Sequence, residues 1–276
     1  MIRKAAVAGS WYPGSAAGLG SAVDRYIEAA TDAPPVLSSL VALVAPHAGL
    51  IYSGPVAAYA YRQLRGKDVD VAVLVGPSHF VGFDGVSIVR SGGFDTPLGV
   101  AEIDEPCGRA LIDVTSVIRE FPAAHAREHS LEMQLPFLRR VAPRAKIVPL
   151  VMGFQTRETV EALGNALASV LSGRNAILVA STDLSHYHDA PTAAGLDGVV
   201  MDHVGRFDPD GLQRALMARP EHACGGGPTV AVMRAARRLG ARDALVLKYA
   251  DSGDVSGYKS AVVGYLAAAF GTQEPK

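Results

Sequence analysis

Val71-Ala72-Val73-Leu74-Val75 runs straight into Gly76-Pro77-Ser78-His79. An unbroken apolar run closed by turn residues reads as a strand buried on both faces, here expected from Val69 to Val75. Two other stretches share the design. Leu40 to Val44 leads into Pro46-His47-Ala48-Gly49, and Ile177 to Ala180 leads into Ser181-Thr182-Asp183-Leu184-Ser185-His186-Tyr187-His188. Lys146 to Val151 is a fourth strand, and Leu245 to Tyr249 and Ala261 to Leu266 add two more near the end of the chain.

Helical periodicity fills the intervals. Ala16 to Ala30 carries Leu19, Val23 and Ile27 on one face. Pro55 to Leu64 is expected as a helix with its proline in the first turn. Helices are also expected at Glu105 to Val114, Glu158 to Leu171, Ala193 to Val204, Gly211 to Ala218 and Thr229 to Leu239. Another covers Glu128 to Arg139, where Pro136 must start, kink or end it. Val86 to Val89, Gly92-Gly93 and Leu98 to Ile103 read as a β excursion with glycine turns. Strands alternating with helices predict an α/β fold: a single three-layer domain whose mainly parallel or mixed central sheet is covered by helices. No repeat, low-complexity block or charge run divides the 276 residues. Thr31-Asp32-Ala33-Pro34-Pro35 reads as a loop, and Gly271 to Lys276 as a frayed polar tail.

Composition narrows the function. At 49% hydrophobic and 19% charged, the chain can bury enough apolar surface to offset its entropy, so disorder is excluded as its main state. Its 26 Lys+Arg against 27 Asp+Glu leave no basic surplus for a phosphate backbone, so a nucleic-acid partner is not expected. Two cysteines, Cys107 and Cys224, make no disulfide scaffold and fit a reducing compartment. The apolar stretch after Arg3 and Lys4 stops at Ser10-Trp11-Tyr12-Pro13, too short for a signal-peptide core. The longest apolar run, Ala261 to Phe270, falls short of the ~18 residues that span a bilayer. A soluble, cytoplasmic protein with no membrane partner is expected, and a homodimer is the default assembly.

The chemistry is expected at the strand ends. In an open parallel sheet, ligands bind outside the carboxyl ends of the strands, where loops far apart in sequence converge. A single loop histidine is ordinary, but three strand ends carrying His47, His79 and Asp183 with His186 and His188 can share one pocket. Cys224-Gly225-Gly226-Gly227-Pro228-Thr229 opens a helix, whose dipole favours a thiolate suited to nucleophilic attack or metal ligation. The same stretch also reads as a glycine-rich turn holding a buried, inert cysteine. It is not a phosphate loop, since no Gly-Lys-Ser/Thr follows. Glu128-His129-Ser130-Leu131-Glu132 lacks the second histidine of a zinc helix and reads as an amphipathic helix with a solvated acidic edge. His125, His203 and His222 read as surface residues, and Cys107 as core.

Together, Pro46-His47-Ala48-Gly49, Gly76-Pro77-Ser78-His79, Glu128-His129-Ser130-Leu131-Glu132, Ser181-Thr182-Asp183-Leu184-Ser185-His186 and Cys224-Gly225-Gly226 resemble the Memo family. Its bacterial and archaeal members are called AmmeMemoRadiSam system protein B, and its animal member is named as a mediator of ErbB2-driven motility. The matching blocks run from Trp11-Tyr12-Pro13 to Tyr258-Lys259-Ser260. The resemblance implies a fold like the catalytic subunit of class III extradiol dioxygenases, which are non-heme iron enzymes. It implies a pocket of two histidines and a cysteine, here His47, His79 and Cys224, holding one divalent or redox-active metal ion. Asp183 and His186 would line that pocket as proton-handling groups, with Glu128, His129, Tyr52 and His188 as further candidates. The prokaryotic name implies functional association with AMMECR1-like and radical SAM proteins.

Replacing a hard carboxylate by soft sulfur shifts the preference toward zinc or copper without excluding Fe(II), while the family resemblance, which implies iron- or copper-dependent oxidation chemistry, favours Fe(II) or copper with zinc as a further choice. The reading that follows is a metal-dependent oxidoreductase acting on a small molecule or peptide. Two alternatives stay open. One is a metal-free hydrolase or transferase with Cys224 as nucleophile and His79 or His186 as base. The other is a non-catalytic module binding an anionic or phenolic peptide side chain such as phosphotyrosine.

Overall fold

The computed structural model describes residues 1–31 and 37–273. Strand β1 (Ile2–Arg3) and helix α1 (Ala16–Ala29) come first, then β2 (Ser39–Ala45), α2 (Leu50–Arg62) and β3 (Val71–Pro77). Short strands β4 (Val86–Ile88), β5 (Gly93–Phe94) and β6 (Ala101–Glu102) precede α3 (Glu105–Val114), β7 (Ile118–Glu120) and α4 (Ala123–Ala126). A 3₁₀ turn (Glu132–Gln134) runs into α5 (Leu135–Val141), followed by β8 (Lys146–Met152), α6 (Arg157–Leu171) and β9 (Ala176–Ser181). Next come β10 (His186–His188), α7 (Ala190–Gly205), α8 (Pro209–Ala218) and α9 (Gly226–Arg238). The final elements are β11 (Asp243–Asp251), α10 (Gly253–Ser256) and β12 (Val262–Thr272). Side-chain oxygens of Ser15, Asp104, Thr156, Asp189 and Asp208 accept backbone N–H groups at the first turns of α1, α3, α6, α7 and α8. These caps set where the five helices begin.

Among the described residues, nine strands form the central sheet in the order β10-β12-β2-β9-β3-β8-β4-β7, with β11 also against β12. The middle strands β2, β9, β3 and β8 are parallel, while β12 and β4 pair antiparallel at either side of them. Residues alternate between two cores, as a period of two requires. Leu43, Leu74, Ile147 and Val179 face α1, α2 and α5. Val44, Val73, Val148 and Leu178 face α3, α6, α7, α8 and α9. This is the three-layer α/β architecture expected, with a mixed sheet. No helix among the described residues is long and apolar enough to cross a membrane.

Several boundaries differ from expectation. Helix α2 starts at Leu50, so Pro55 lies inside it rather than in its first turn. The hydrogen bond it cannot donate falls to the carbonyl of Ile51, an exposed residue on the solvent edge. Strand β12 runs to Thr272 because it pairs with β11 and β2, so Gly271 and Thr272 are strand and not frayed tail. The loop expected at Thr31 to Pro35 and the last three residues of the tail lie outside the described residues, apart from Thr31. Strands β1, β7 and β10 and helices α4 and α10 are too short for periodicity to reveal.

The stretch Glu128 to Arg139 is the largest departure. Residues 128–131 are not helical, and Pro136 sits at the start of α5. Glu128 and Glu132 are buried rather than a solvated edge. Glu132 is fully enclosed, and every lone-pair direction is answered from the N-terminal segment. Its carboxylate accepts from the Arg3 guanidinium (2.7 Å), the Ala6 and Val7 amides (2.8 and 3.0 Å) and the Tyr12 hydroxyl (2.8 Å). His125 and His222 are likewise buried, against their reading as surface residues, whereas His203 is half-buried beside Asp208. Cys107 is core, as expected.

Two outcomes are expected. Arg3→Met leaves the buried Glu132 charge without its cation and should cost about 3 kcal/mol in urea unfolding; a loss under about 1 kcal/mol would show that the pair is not holding this segment. Burial, helped by the Arg3 guanidinium, lowers the His125 ring to about 4. The unfolded chain therefore takes up this proton first, and stability is lost as pH falls from about 6.5 towards 4. Comparing unfolding at pH 7 and 4.5, His125→Phe should escape roughly 2 kcal/mol of the acid loss that wild type shows. An identical loss in both proteins would contradict it.

Candidate metal centre

Strands β2, β3 and β9 end side by side, and the second residue past each end is His47, His79 and Asp183 respectively. Strand β9 lies between the other two, so the three loops open on one rim. Ala45 is level with Ser181, and the Thr182 amide continues the ladder to the Ala45 carbonyl. Asp183 then stands level with His47, and its carboxylate accepts the His47 amide at 2.7 Å.

Hydrogen bonds fix the proton on each ring. Ser181 Oγ donates to the Ser130 carbonyl (2.6 Å) and accepts from Gln134 Nε2 (2.6 Å). Its remaining contact, with His47 Nδ1 at 2.9 Å, must therefore be one in which the ring donates. That leaves His47 Nε2 with a free lone pair, 3.3 Å from Cys224 Sγ. His79 Nδ1 meets Glu128 Oε1 at 2.8 Å, and its backbone amide meets Oε2 at 2.6 Å. The carboxylate is an acceptor only, so Nδ1 carries the proton and Nε2 is free here too.

The backbone of Asp183 holds Cys224 against the end of β9. The Cys224 amide donates to the Asp183 carbonyl (3.2 Å), and the Asp183 amide donates to the Cys224 sulfur (3.3 Å). A Cβ on Gly225 would collide with the Ser181 carbonyl, so only glycine permits this approach of the α9 N-terminus to the end of β9. One donor atom each of His47, His79 and Cys224 lies within 4.8 Å of the others. A nitrogen and a sulfur bound to one tetrahedral ion would stand roughly 3.5 Å apart, close to the observed spacing. The donor set fits a metal ion.

The pocket resists charge. Burial, then the neighbouring rings of His79, His129 and His186, push the His47 imidazole well below its usual range. Burial and His79 also lower His186. Burial pushes the Cys224 thiol up, and the Asp183 carboxylate pushes it further. Burial raises Asp183 to about 7 against the His47 and Ala48 amides that bond its charged form. Glu128 goes the other way: burial would raise it, but the His79 ring and the His79 and Ser130 amides outweigh burial and hold it at about 2.

The further candidates divide. Glu128 orients His79. The His129 ring stacks on His79 at 4.5 Å, lies 5.7 Å from His47, and is backed by Trp11 at 4.4 Å. Burial lowers it to about 4. His79, Glu128 and His129 form a second cluster of donors, but the Glu128 oxygens are already committed to His79, His129 and Ser130. His188, in β10, does not join either group, and Tyr52 stands in the first turn of α2. Ser181 and Gln134 orient His47 and went unnoticed in the sequence, where a serine at a strand end and a glutamine near a helix carry no signal. Tyr187 also escaped notice: it is a bulged, exposed residue in β10 with φ of 64°.

Comparison with known proteins bears on the whole chain. Residues 3–269 match the family described as Memo-like protein. A MEMO1 family protein of Methanosarcina mazei is 39% identical over 269 residues, covering 96% of this chain and 98% of its own. A MEMO1 family protein of Methanothermobacter thermautotrophicus is 36% identical over 273 residues, covering 96% and 99%. Among solved structures, an uncharacterized protein of Escherichia coli K12 superposes with a TM-score of 0.54 at 14% identity, over 82% of this chain and 99% of that one. That last likeness concerns the fold alone. The match along nearly the full length, with 36–39% identity to these relatives, means that this chain belongs to the Memo family.

Proposed function

We propose that His47, His79 and Cys224 bind one divalent or redox-active metal ion and that the protein is a metal-dependent oxidoreductase. The observation that carries this reading is the proton placement: both imidazoles spend Nδ1–H on fixed acceptors and so keep Nε2 unprotonated, His47 Nε2 lies 3.3 Å from the Cys224 sulfur, and a donor atom of His79 lies within 4.8 Å of both. Three protein donors leave coordination positions for a substrate, as catalytic sites do and closed structural sites do not. Iron or copper in such a set would supply electron transfer and oxygen activation, and zinc a Lewis acid.

The chain's own groups have distinct tasks. Glu128 and Ser181 hold the two rings in their ligating tautomers. Asp183, at about 7, can take or give a proton near neutrality, and it borders both His47 and Cys224. His186, within electrostatic reach of His79, is a second proton-handling group. The metal-free nucleophile is disfavoured, because an activated cysteine has its thiol pushed down and Cys224 has it pushed up.

Elemental analysis of protein purified without a histidine tag tests the reading. Wild type should hold about one metal ion per chain, and Cys224→Ser and His47→Ala should hold little. Oxygen uptake after anaerobic loading with Fe(II) or Cu(I) should disappear in His47→Ala; uptake indifferent to that change would end the oxidoreductase assignment. Rapid alkylation of Cys224 at pH 6 in metal-free protein would instead favour the nucleophile.

Glu128→Gln keeps the shape but loses an acceptor, leaving one of the donors around it stranded. Metal affinity should fall roughly 10–100-fold, the usual cost of losing the partner that orients a ligating histidine. Unchanged affinity would mean that His79 is not a ligand.

A further inference from the structure

Behind Cys224 lies a cavity of about 360 Å³, between the loop after β8, the starts of α6 and α9, and helix α8. It is as large as the smaller ligand pockets of proteins. Its lining is mainly apolar, with Gln155 and Gln213 as its polar side chains, and holds no Asp, Glu, Lys, Arg or His. Val160, Leu216 and Val230 form the walls, and Phe154 and Met217 stand at the rim. Phe154 and Met217 are 56% and 67% exposed, an arrangement that leaves large apolar side chains in water. Gln213 Oε1 accepts from the Arg234 guanidinium (2.7 Å), and Gln155, beside Cys224, makes two bonds. Its Nε2 donates to the Cys224 carbonyl (2.7 Å), and its Oε1 accepts the Gly227 amide (2.6 Å).

One wall is shared with the candidate metal centre, and another lies against the loop that carries His79. Cys224 lines the cavity while its sulfur faces His47. Phe154 reaches from the cavity to Gly82, three residues beyond His79, where a Cβ would lie 3.1 Å from its ring. The cavity thus adjoins the proposed reaction centre and differs from it in chemistry.

We propose that this cavity is the apolar subsite of the metal centre and takes an uncharged aromatic or branched aliphatic group of the substrate. The inference rests on the metal-site reading and adds the substrate class to it. A charged group would lose its hydration here with no counter-charge among the lining residues, so the subsite selects against it. Met217 and Phe154 close over the bound group, the methionine adapting to its shape.

Indole, as an uncharged probe, and butylammonium, as a charged one, test this on full-length, chelator-treated protein carrying labelled methionine methyls. Indole should move the Met217 methyl resonance and bind about tenfold or more tighter than butylammonium. It should also slow iodoacetamide labelling, which reports on Cys224 because Cys107 is fully buried. Leu216→Trp fills the cavity and should abolish the methyl shift. Should that variant not fold, Phe154→Ala, at an exposed position, should weaken indole roughly 5–10-fold. An unmoved methyl, equal binding of both probes, or unaltered Cys224 labelling at saturating indole would overturn the proposal. Metal at one ion per chain with an unmoved methyl removes the subsite alone. Indole binding with Cys224 protection in a protein that takes up no metal removes the metal reading and leaves the cavity as the pocket of the thiol.

Discussion

Parallel pairing of β2, β9 and β3 sets the depth at which each loop leaves the sheet, and the site depends on that depth. Ala45 pairs with Ser181, and Val75 with Ala180, so the residues two beyond the ends of these strands emerge at nearly one level. A slip of one residue would turn the apolar side chains of a strand to the wrong core and carry its catalytic-type residue to the opposite face. Two dense cores make such a slip costly, since Leu74 and Val73 each fill a different layer. The stability of the sheet and the convergence of His47, His79 and Asp183 are therefore one property.

Three buried carboxylates turn this coarse alignment into a defined site, each by a different balance. Glu132 is matched by a guanidinium and three further donors and serves to hold the N-terminal segment. That segment carries Trp11, which backs His129, which in turn stacks on His79. Glu128 keeps its charge through His79 and the turn at Ser130, and so fixes a ring rather than a segment. Asp183 has backbone amides but no cation beside it, and burial leaves it close to neutrality. One residue type thus performs anchoring, orientation and proton exchange, according to how many donors surround it.

The strand ends were legible because burial on both faces leaves an unmistakable apolar run, and because His47, His79 and Asp183 follow such runs directly. Cys224 was legible as a cysteine before a glycine-rich helix start. Glu128 and Glu132 were not: spaced four apart among leucines, they match an exposed helix edge, and the groups that answer Glu132 lie more than a hundred residues away. The early start of α2 was hidden for a related reason. A proline is read as a beginning, yet a helix tolerates one where the lost bond falls on its wet edge. Tyr187 gives no sign of its left-handed backbone, which arises from the bulge where β10 meets β12.

The electrostatics of the pocket bear on why these donors stand together. Imidazoles packed against one another disfavour a second proton, a thiol beside a buried acid disfavours its anion, and that acid is itself held near neutrality. Left to its own groups, the donor cluster therefore favours neutral rings and a neutral thiol, with Glu128 the ionised group beside it. A divalent cation reverses each preference: it needs unprotonated nitrogens, converts a thiol to its thiolate and makes a nearby carboxylate welcome. Two neutral imidazoles, one thiolate and a divalent ion would leave a net positive charge, which ionised Asp183 can offset. The arrangement that makes Cys224 a poor free nucleophile would not bar it from ligating under the proposed reading, because a bound cation would supply the charge that the thiolate otherwise lacks, while the lowered imidazoles already offer unprotonated nitrogens.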